Sequence, residues 1–380
     1  MNGSLTLISD TDPRADFAVL IDSKNQIQAL AIRAHRDQTD YPLPGAVYNG
    51  RVTAILPQFE AVTVDLGQDQ SAFVKTGRDL SGGDYLPVMI RDIPKERGKE
   101  PLATAEIRLG GQTLVALVDD RVDQKGIHSS RHLERALAVH LKNSLKSDDP
   151  PCGIILRSYL NCFGSDKKGA LEAVRSELNY MRADIEAIRD PSSNSSNNPG
   201  LLLSPPHPLK TLLLDHSDKD IALISAHHPE ALSAVEFYID GKKIKTEQTE
   251  TPFDHYDIWP QIAGLTTPYL DSDRGFALMI ETMQALTAID IDLKSAPSPE
   301  KTVMAAVVEA ARQIMLRNIS GQIVIDPPRL RGGGEERILQ ALRTAFKDDR
   351  RRTQVFGTTS MGLIEISRKR EGFSLIDLKR

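Results

Sequence analysis

The sequence predicts an α/β protein built from several subdomains, and three observations support this. The chain has 380 residues, which corresponds to two or three domains. Short alternating strands are indicated over residues 48–74, and a strand–helix–strand unit is indicated over residues 286–326. With 40% hydrophobic and 26% charged residues, the composition excludes a disordered, collagen-like or membrane-embedded chain as a whole.

The first strand-rich segment predicts a small barrel. Val62, Val64 and Leu66 alternate with small or polar residues, the period of a half-buried strand. Gly50 and Gly67 interrupt the pattern, as expected between short, strongly twisted strands. The pattern favours a barrel of the oligonucleotide-binding type. Any other antiparallel β subdomain is the alternative.

Residues 167–189 are predicted to form one helix that ends before a linker. Apolar residues recur every three or four positions, namely Leu171, Val174, Leu178, Met181, Ile185 and Ile188. Core packing explains this stripe better than a partner helix does. The following segment, residues 190–200, is rich in Pro, Ser, Asn and Gly and predicts a loop at a domain boundary.

The segment 286–326 predicts two parallel strands joined by a helix. Each strand is apolar and carries an acid at its end, Asp290 in the first and Asp326 in the second. Ser298-Pro299 is a helix start signal, and Val303, Val307, Ala310 and Ile314 then lie on one helical face. Because crossover units pair their strands in parallel, the two aspartates should approach each other at the edge where α/β sheets place ligands.

Two neighbouring carboxylates predict a divalent cation. They repel each other and are costly to desolvate, and a shared cation relieves both effects. Mg²⁺ fits because it binds through one or two carboxylates and keeps several waters. The alternative is that each aspartate only caps the turn that follows it.

The C-terminal segment is basic although the whole chain has a net charge of −5. Residues 329–380 contain 13 basic and 7 acidic residues, a charge of +6, which leaves −11 for the first 328 residues. Two clusters, Arg350–Arg352 and Arg368–Arg370, flank predicted strands. If those strands extend the same sheet, some of these cations can reach the metal edge, where they would hold a phosphate backbone. A solvated basic face is the alternative.

The remaining sequence features predict a cytoplasmic protein. Two cysteines, Cys152 and Cys162, cannot form a disulfide framework or a four-thiolate zinc site within one chain. The first ten residues show neither a basic lead nor an apolar signal segment.

In these residues and motifs, the sequence resembles the ribonuclease E/G family of bacterial endoribonucleases. The strongest similarity runs from Phe253 to about Leu378, and the barrel segment is second. The matching stretches are YNGRVTAILPQFEAVTVDLG, KERGK, GIILRS, FDHYDIWPQI, ALTAIDID, EAARQIMLRNISGQIVID, DDRRRTQV and GLIEISRKR.

The resemblance implies an architecture of five segments. These are an RNase H-like part (1–38), an OB-type RNA-binding barrel (39–118), a 5′-sensor-like subdomain (119–200), a second RNase H-like part (201–265) and a DNase I-like catalytic subdomain (266–380).

The resemblance also implies roles for particular residues. Asp290 and Asp326 correspond to the family's two magnesium-binding aspartates, and Asp292 takes the place of an asparagine that orients the metal or its water. The RNA-binding residues would be Phe73, Lys95, Arg97, Lys99, Arg368 and Arg370, and the 5′-phosphate would be bound by Arg157 and Ser158.

Four departures from the family pattern bear on these roles. Thr63 replaces a base-contacting aromatic residue, Tyr159 and Leu160 replace small residues after the 5′-phosphate pair, and Pro327 begins an altered stretch after the second metal aspartate. The family's zinc-linking cysteine motif is also not found in the sequence. We therefore expect no zinc and no zinc-linked tetramer, with a homodimer left open.

The sequence therefore predicts a magnesium-dependent endoribonuclease that cleaves single-stranded RNA with metal-activated water and leaves 5′-phosphate and 3′-hydroxyl ends. Manganese could replace magnesium. The main alternative is a weakened relative that binds RNA or regulates a partner without cutting, and a structural α/β protein is the third.

Overall fold

The computed structural model describes residues 4–94, 98–118, 126–190, 198–294, 298–330, 332–347 and 349–379. These ranges form a mixed α/β fold with four sheets, as the sequence predicts.

The chain begins with three antiparallel strands and continues into a closed barrel. The first three are β1 (Leu5–Asp12), β2 (Ala15–Ile21) and β3 (Ile27–Ala34). The barrel strands are β4 (Val47–Leu56), β5 (Ala61–Gly67), β6 (Gln70–Lys75), β7 (Tyr85–Asp92) and β8 (Leu102–Thr104). They pair in the order β4–β5–β6–β8–β7, and β7 pairs back onto β4. The predicted small barrel is confirmed, with Val62, Val64 and Leu66 in its core.

A helical segment with its own sheet follows the barrel. Its strands are β9 (Ile107–Gly110), β10 (Leu114–Val118), β11 (Ile127–Ser129) and β12 (Gly153–Leu156). Its helices are α1 (Arg135–Ser147), α2 (Lys167–Tyr180) and α3 (Arg182–Arg189).

The prediction of a single helix over residues 167–189 is wrong in one respect, because a turn at Met181 separates α2 from α3. Its apolar stripe nevertheless packs in or against the core of this segment. Most of the predicted linker lies outside the described residues.

The chain then returns to the first sheet. The elements are β13 (Gly200–Leu203), α4 (Pro208–Asp215), β14 (Ile221–Ala226), α5 (Pro229–Ser233), α6 (Glu236–Ile239), β15 (Lys245–Gln248), α7 (Pro252–His255) and α8 (Ile258–Leu265). Strands β14 and β15 extend the first sheet in the order β15–β14–β1–β2–β3. One sheet is thus built from two distant chain segments. Whether it is RNase H-like stays a prediction.

The last segment contains the predicted crossover unit. Its elements are β16 (Tyr269–Ser272), β17 (Phe276–Thr282), β18 (Leu286–Leu293), α9 (Pro299–Leu316), β19 (Gly321–Asp326), α10 (Gly334–Ala345), β20 (Thr353–Thr358) and β21 (Ile364–Arg368). The strands form one sheet in the order β16–β17–β18–β19–β21–β20. Strands β18 and β19 are parallel, which confirms the crossover.

Helices α9 and α10 cover one face of this last sheet. Val303, Val307, Ala310 and Ile314 are fully buried against it, as the helical spacing predicts. Ser298 is the N-cap residue of α9, but its side chain makes no capping bond. Its carbonyl instead accepts hydrogen bonds from Thr302.

No helix within the described residues has the length and apolar character required to cross a bilayer.

Candidate active site

The two strand-end aspartates are direct neighbours across the parallel strand pair. Asp290 of β18 is the register partner of Asp326 of β19, and adjacent strands lie about 4.8 Å apart. Residues that pair in register point to the same face of a sheet. Ile289, Ile291 and Ile325 point to the helix-covered face and are buried, so both carboxylates project from the other face. The predicted convergence is therefore present in the backbone register.

Three carboxylates share this face at the ends of the two strands. The pKa of Asp290 is raised, first by partial desolvation and then by the charges of Asp292 and Asp326. Asp292 follows Asp290 by two residues in β18 and therefore lies on the same face. Among the described residues, none of these three aspartates has an ion-pair partner. The like charges are thus uncompensated by the protein in this part of the chain.

The donor set suits a hard cation that needs few protein ligands. The described residues contain no group of three or more His, Cys, Asp or Glu side chains arranged to hold a metal. A closed structural zinc site needs four such ligands, so the aspartates do not fit one. Mg²⁺ needs only one or two carboxylates and completes its shell with water. Asp290 and Asp326 fit that requirement.

The aspartates occupy an open sheet face near the strand ends, which is the edge that the sequence predicts. Asp290, Asp292 and Asp326 are exposed, and so are Gln322 and Glu365 on the same face. Because no helix in the described part of the last segment covers this face, an extended polymer can approach it. A small-molecule crevice would not require such access.

The two basic clusters lie at the wrong end of the sheet to serve as predicted. Strand β21 runs antiparallel to β19, so Ile364 pairs with Ile325 whereas Arg368 pairs with Gly321. Strand β20 also begins at that far end, with Thr353 opposite Arg368. Gly321 and Asp326 are five residue steps apart along β19, about 16 Å at 3.3 Å per residue. The expectation that these cations reach the metal edge is wrong because the strand direction carries them away from it.

Arg368 also has a structural role that removes it from the predicted RNA-binding set. Its side chain and that of Asp349 are 4% and 5% exposed. Nε and Nη2 donate to the Asp349 carboxylate at 2.8 and 3.1 Å, and Nη1 donates to Asn318 Oδ1 and the Ile319 carbonyl. All its donor nitrogens are therefore bonded inside the protein. The sequence alone does not show whether a basic residue forms a buried ion pair of this kind or is solvated at the surface.

Arg370 is exposed, unlike Arg368. Its guanidinium lies over Gly321, which has φ of +88° and lacks the side chain that would contact it. Arg370 lies at the same far end of the sheet, so any contact with RNA would be remote from the aspartates.

Comparison with known proteins assigns the chain to a family. The model of the ribonuclease E/G family matches residues 109–371, more than half of the chain and including the aspartate pair. The chain belongs to the ribonuclease E/G family. This agrees with the resemblance that the sequence motifs indicate.

Individual ribonuclease E/G relatives match most of this chain. Ribonuclease E of Escherichia coli is 30% identical over 370 residues, covering 87% of this chain and 34% of the relative. Ribonuclease E of Nostoc is 25% identical over 397 residues, covering 94% and 55%. A ribonuclease E/G-like protein of Porphyra purpurea is 25% identical over 392 residues, covering 93% and 73%. The chain thus spans about a third to a half of the first two relatives.

Three cations near the acidic end were not predicted from the sequence. Arg329 follows Asp326 by three residues, and Arg274 and Lys294 flank the paired ends of β17 and β18. Arg274 and Arg329 are exposed, whereas Lys294 pairs with Asp271. All three lie immediately beside a strand end, and this position is the sequence feature that could have identified them. Only the register shows that these ends belong to the same edge as the aspartates.

The barrel places Phe73 on its outer surface. Phe73 is half-buried in β6 and lies opposite Thr63 of β5. Lys95 and Arg97 lie outside the described residues, while Lys99 is exposed. Their RNA-binding roles stay predictions.

Arg157 and Ser158 lie at the end of β12 and the start of a short 3₁₀ helix. The Arg157 guanidinium donates to the carbonyls of Gly111 and Leu214, and burial lowers its pKa. Through these hydrogen bonds, the Arg157 guanidinium joins two segments of the fold. A role in binding a 5′-phosphate stays a prediction.

Sequence reasoning also missed Glu177 beside that pair. Glu177 is 1% exposed, and its carboxylate accepts bonds from the backbone N–H groups of Gln112, Thr113 and Leu114 and from the Thr113 hydroxyl. Because it lies within the apolar stripe of α2, its sequence context suggests only an ordinary helix residue. The bonds show that it fixes the turn between β9 and β10.

Proposed function

We propose that this chain is a magnesium-dependent endoribonuclease that cleaves single-stranded RNA. The observation that supports this most directly is the register pairing of Asp290 with Asp326 on an open sheet face. Membership of the ribonuclease E/G family and similarity to proteins named ribonuclease E support the reaction class.

Asp290 and Asp326 would hold Mg²⁺, and Asp292 would orient the ion or its water. When bound, Mg²⁺ supplies activation of water and stabilisation of negative charge on the phosphoryl group. Manganese could take the same oxygen ligands. The products would carry 5′-phosphate and 3′-hydroxyl ends.

The protein's own groups would position the RNA. Arg274 and Arg329 lie at the acidic end and would pair with phosphates on either side of the cleaved bond. The exposed face lets the strand cross the sheet, while the barrel surface around Phe73 would stack with bases. These contacts would orient the scissile phosphate against the aspartates.

The test is cleavage of an unstructured, end-labelled RNA with Mg²⁺, with Mn²⁺ and with EDTA. We expect cleavage that requires the metal, and a loss of about 10²–10³-fold or more in Asp290→Asn and in Asp326→Asn. Glu281→Gln is the matched control, because Glu281 is an exposed carboxylate of the same sheet that pairs with Ala288. Undiminished cleavage by either aspartate variant would contradict the proposal.

A second candidate is an RNA-binding relative that does not cut. The observation that favours it is the placement of both basic clusters at the far end of the sheet, which leaves fewer cations beside the aspartates than the sequence predicts. Metal-independent RNA binding without cleavage of several unrelated RNAs would support this candidate over the nuclease.

A further inference from the structure

An exposed aromatic ring and a half-buried one lie together on the barrel surface. Phe59 is in the one-turn 3₁₀ helix between β4 and β5 and is 58% exposed. Its ring centroid is 6.4 Å from that of Phe73, with the planes 68° apart. A single exposed apolar side chain needs no explanation, but a paired aromatic surface indicates a ligand. Aromatic rings on a barrel surface suit stacking with nucleobases.

A carboxylate is fixed beside these rings. Glu100 accepts hydrogen bonds from Thr63 Oγ1 at 3.2 Å and from Ser71 Oγ at 2.8 Å. Thr63 pairs with Phe73, and Ser71 precedes Phe73 by two residues, so all three lie on one face. The Phe73 N–H also donates to the Pro101 carbonyl at 2.8 Å. Glu100 is therefore held on the barrel face that carries Phe73.

After accepting hydrogen bonds from these two hydroxyls, the Glu100 carboxylate can accept two more hydrogen bonds. An ionised carboxylate has about four lone-pair sites. The Thr63 hydroxyl uses Oε2 and the Ser71 hydroxyl uses Oε1, so each oxygen keeps one site. Glu100 itself is exposed, and these sites are accessible to a ligand. The result is a pair of parallel acceptors in a fixed position.

Guanine is the base whose edge matches two parallel acceptors. Its N1–H and its 2-amino group are adjacent donors on the Watson–Crick edge. Adenine and cytosine place a ring nitrogen acceptor beside their amino group, and uracil places its N3–H between two carbonyl oxygens. Each of these would direct at least one lone pair towards the carboxylate, which is unfavourable when the groups are desolvated.

We propose that Glu100 recognises a guanine base that stacks on Phe59 and packs against Phe73, so that the barrel selects single-stranded RNA containing guanine. This inference rests on the proposed function for RNA binding, but not on cleavage. Bases would face the barrel and phosphates would face solvent, because the carboxylate repels the backbone. Thr63 and Ser71 act as positioning residues for Glu100.

The experiment measures binding by fluorescence anisotropy in EDTA, where metal-dependent cleavage is absent. The probes are labelled hepta-uridines with guanine, inosine, adenine or cytosine at the central position, together with the all-uridine strand. We expect guanine to bind about tenfold more tightly than adenine, cytosine or uracil. Inosine keeps N1–H but lacks the 2-amino group, so its affinity should be intermediate.

Variants separate base recognition from general binding. Glu100→Gln presents one donor and one acceptor, and it should remove the preference for guanine. Asp69→Asn is the charge-matched control, because Asp69 is an exposed residue of the barrel turn with φ of +57° that asparagine also tolerates. Phe59→Ala should weaken all five probes by a similar factor of about ten, because stacking tolerates every base.

Two results would overturn the inference while leaving RNA binding intact. One is equal affinity of the wild-type chain for all five probes. The other is a uniform gain in affinity for all probes in Glu100→Gln, which would show that Glu100 acts only by repelling phosphate. Failure of the wild-type chain to bind any probe would overturn the proposed function as well.

Discussion

The two ends of strand β19 differ in whether the charged side chains there are paired within the protein. At the Gly321 end, Arg368 and Asp349 form a bidentate ion pair that is almost completely buried. At the Asp326 end, three carboxylates lie together on an exposed face. The first end pairs its buried Arg368 and Asp349 side chains with each other, whereas the second leaves like charges beside one another.

This difference separates a structural site from a functional one. A buried charge must be paired and hydrogen-bonded, or the fold loses stability. Grouped carboxylates without a cation gain nothing for the fold, so their placement favours a ligand that supplies positive charge. We therefore expect substitutions at the Arg368 end to affect stability, and substitutions at the Asp326 end to affect activity.

The largest stability effect should follow from Arg368→Met. Removing the guanidinium leaves the Asp349 carboxylate buried without its partner, which costs about 3–5 kcal/mol of unfolding free energy. Urea denaturation followed by circular dichroism measures it. Arg370→Met is the matched control because Arg370 is exposed, and its loss should be within about 0.5 kcal/mol. Equal losses in the two variants would contradict the structural role of Arg368.

A smaller effect should appear as a pH dependence of the wild-type chain. The Arg368 side chain is the main favourable influence that lowers the pKa of Asp349 below its usual value. The ion pair therefore contributes fully above the unfolded-state pKa of about 3.9 and is lost as the pH falls through the lower folded-state pKa. Urea denaturation between pH 7 and pH 3 should show the difference between wild type and Arg368→Met shrinking in acid. A constant difference would contradict this linkage.

The smallest stability effect should follow from Asp326→Asn. The carboxylate is exposed and lies beside Asp290 and Asp292, so its loss should change the unfolding free energy by less than about 0.5 kcal/mol, with any change stabilising. The same denaturation assay measures it. A large destabilisation would mean that Asp326 has a structural bond, and the contrast between the two ends would fail.

The fold could be predicted from the sequence where local patterns decide it. Alternation of Val62, Val64 and Leu66 predicted the barrel strands, and the spacing of Val303, Val307 and Ala310 predicted the buried face of α9. These patterns suffice because a strand or helix must place its apolar residues on one side. The turn at Met181 was missed because the apolar stripe continues through it.

The candidate site was predicted only in part. Placing Asp290 beside Asp326 needed the crossover rule alone, because parallel strands bring the same ends together. The positions of Arg368 and Arg329 depended on the direction of β21 and on which strand ends share an edge. Phe59 and Glu100 could be recognised as candidates only in the structure, because the closed barrel brings residues 59, 73 and 100 to one surface.

The sequence by itself determined the element types, the family and the paired acids, because each is encoded in short-range periodicity or in motifs of neighbouring residues. The tertiary structure alone decided which charges are buried and which remain exposed. Burial depends on strand direction, register and the covering helices, and these bring together residues that are far apart in the chain. The same guanidinium can therefore bind a phosphate or stabilise the interior, and only its surroundings determine which.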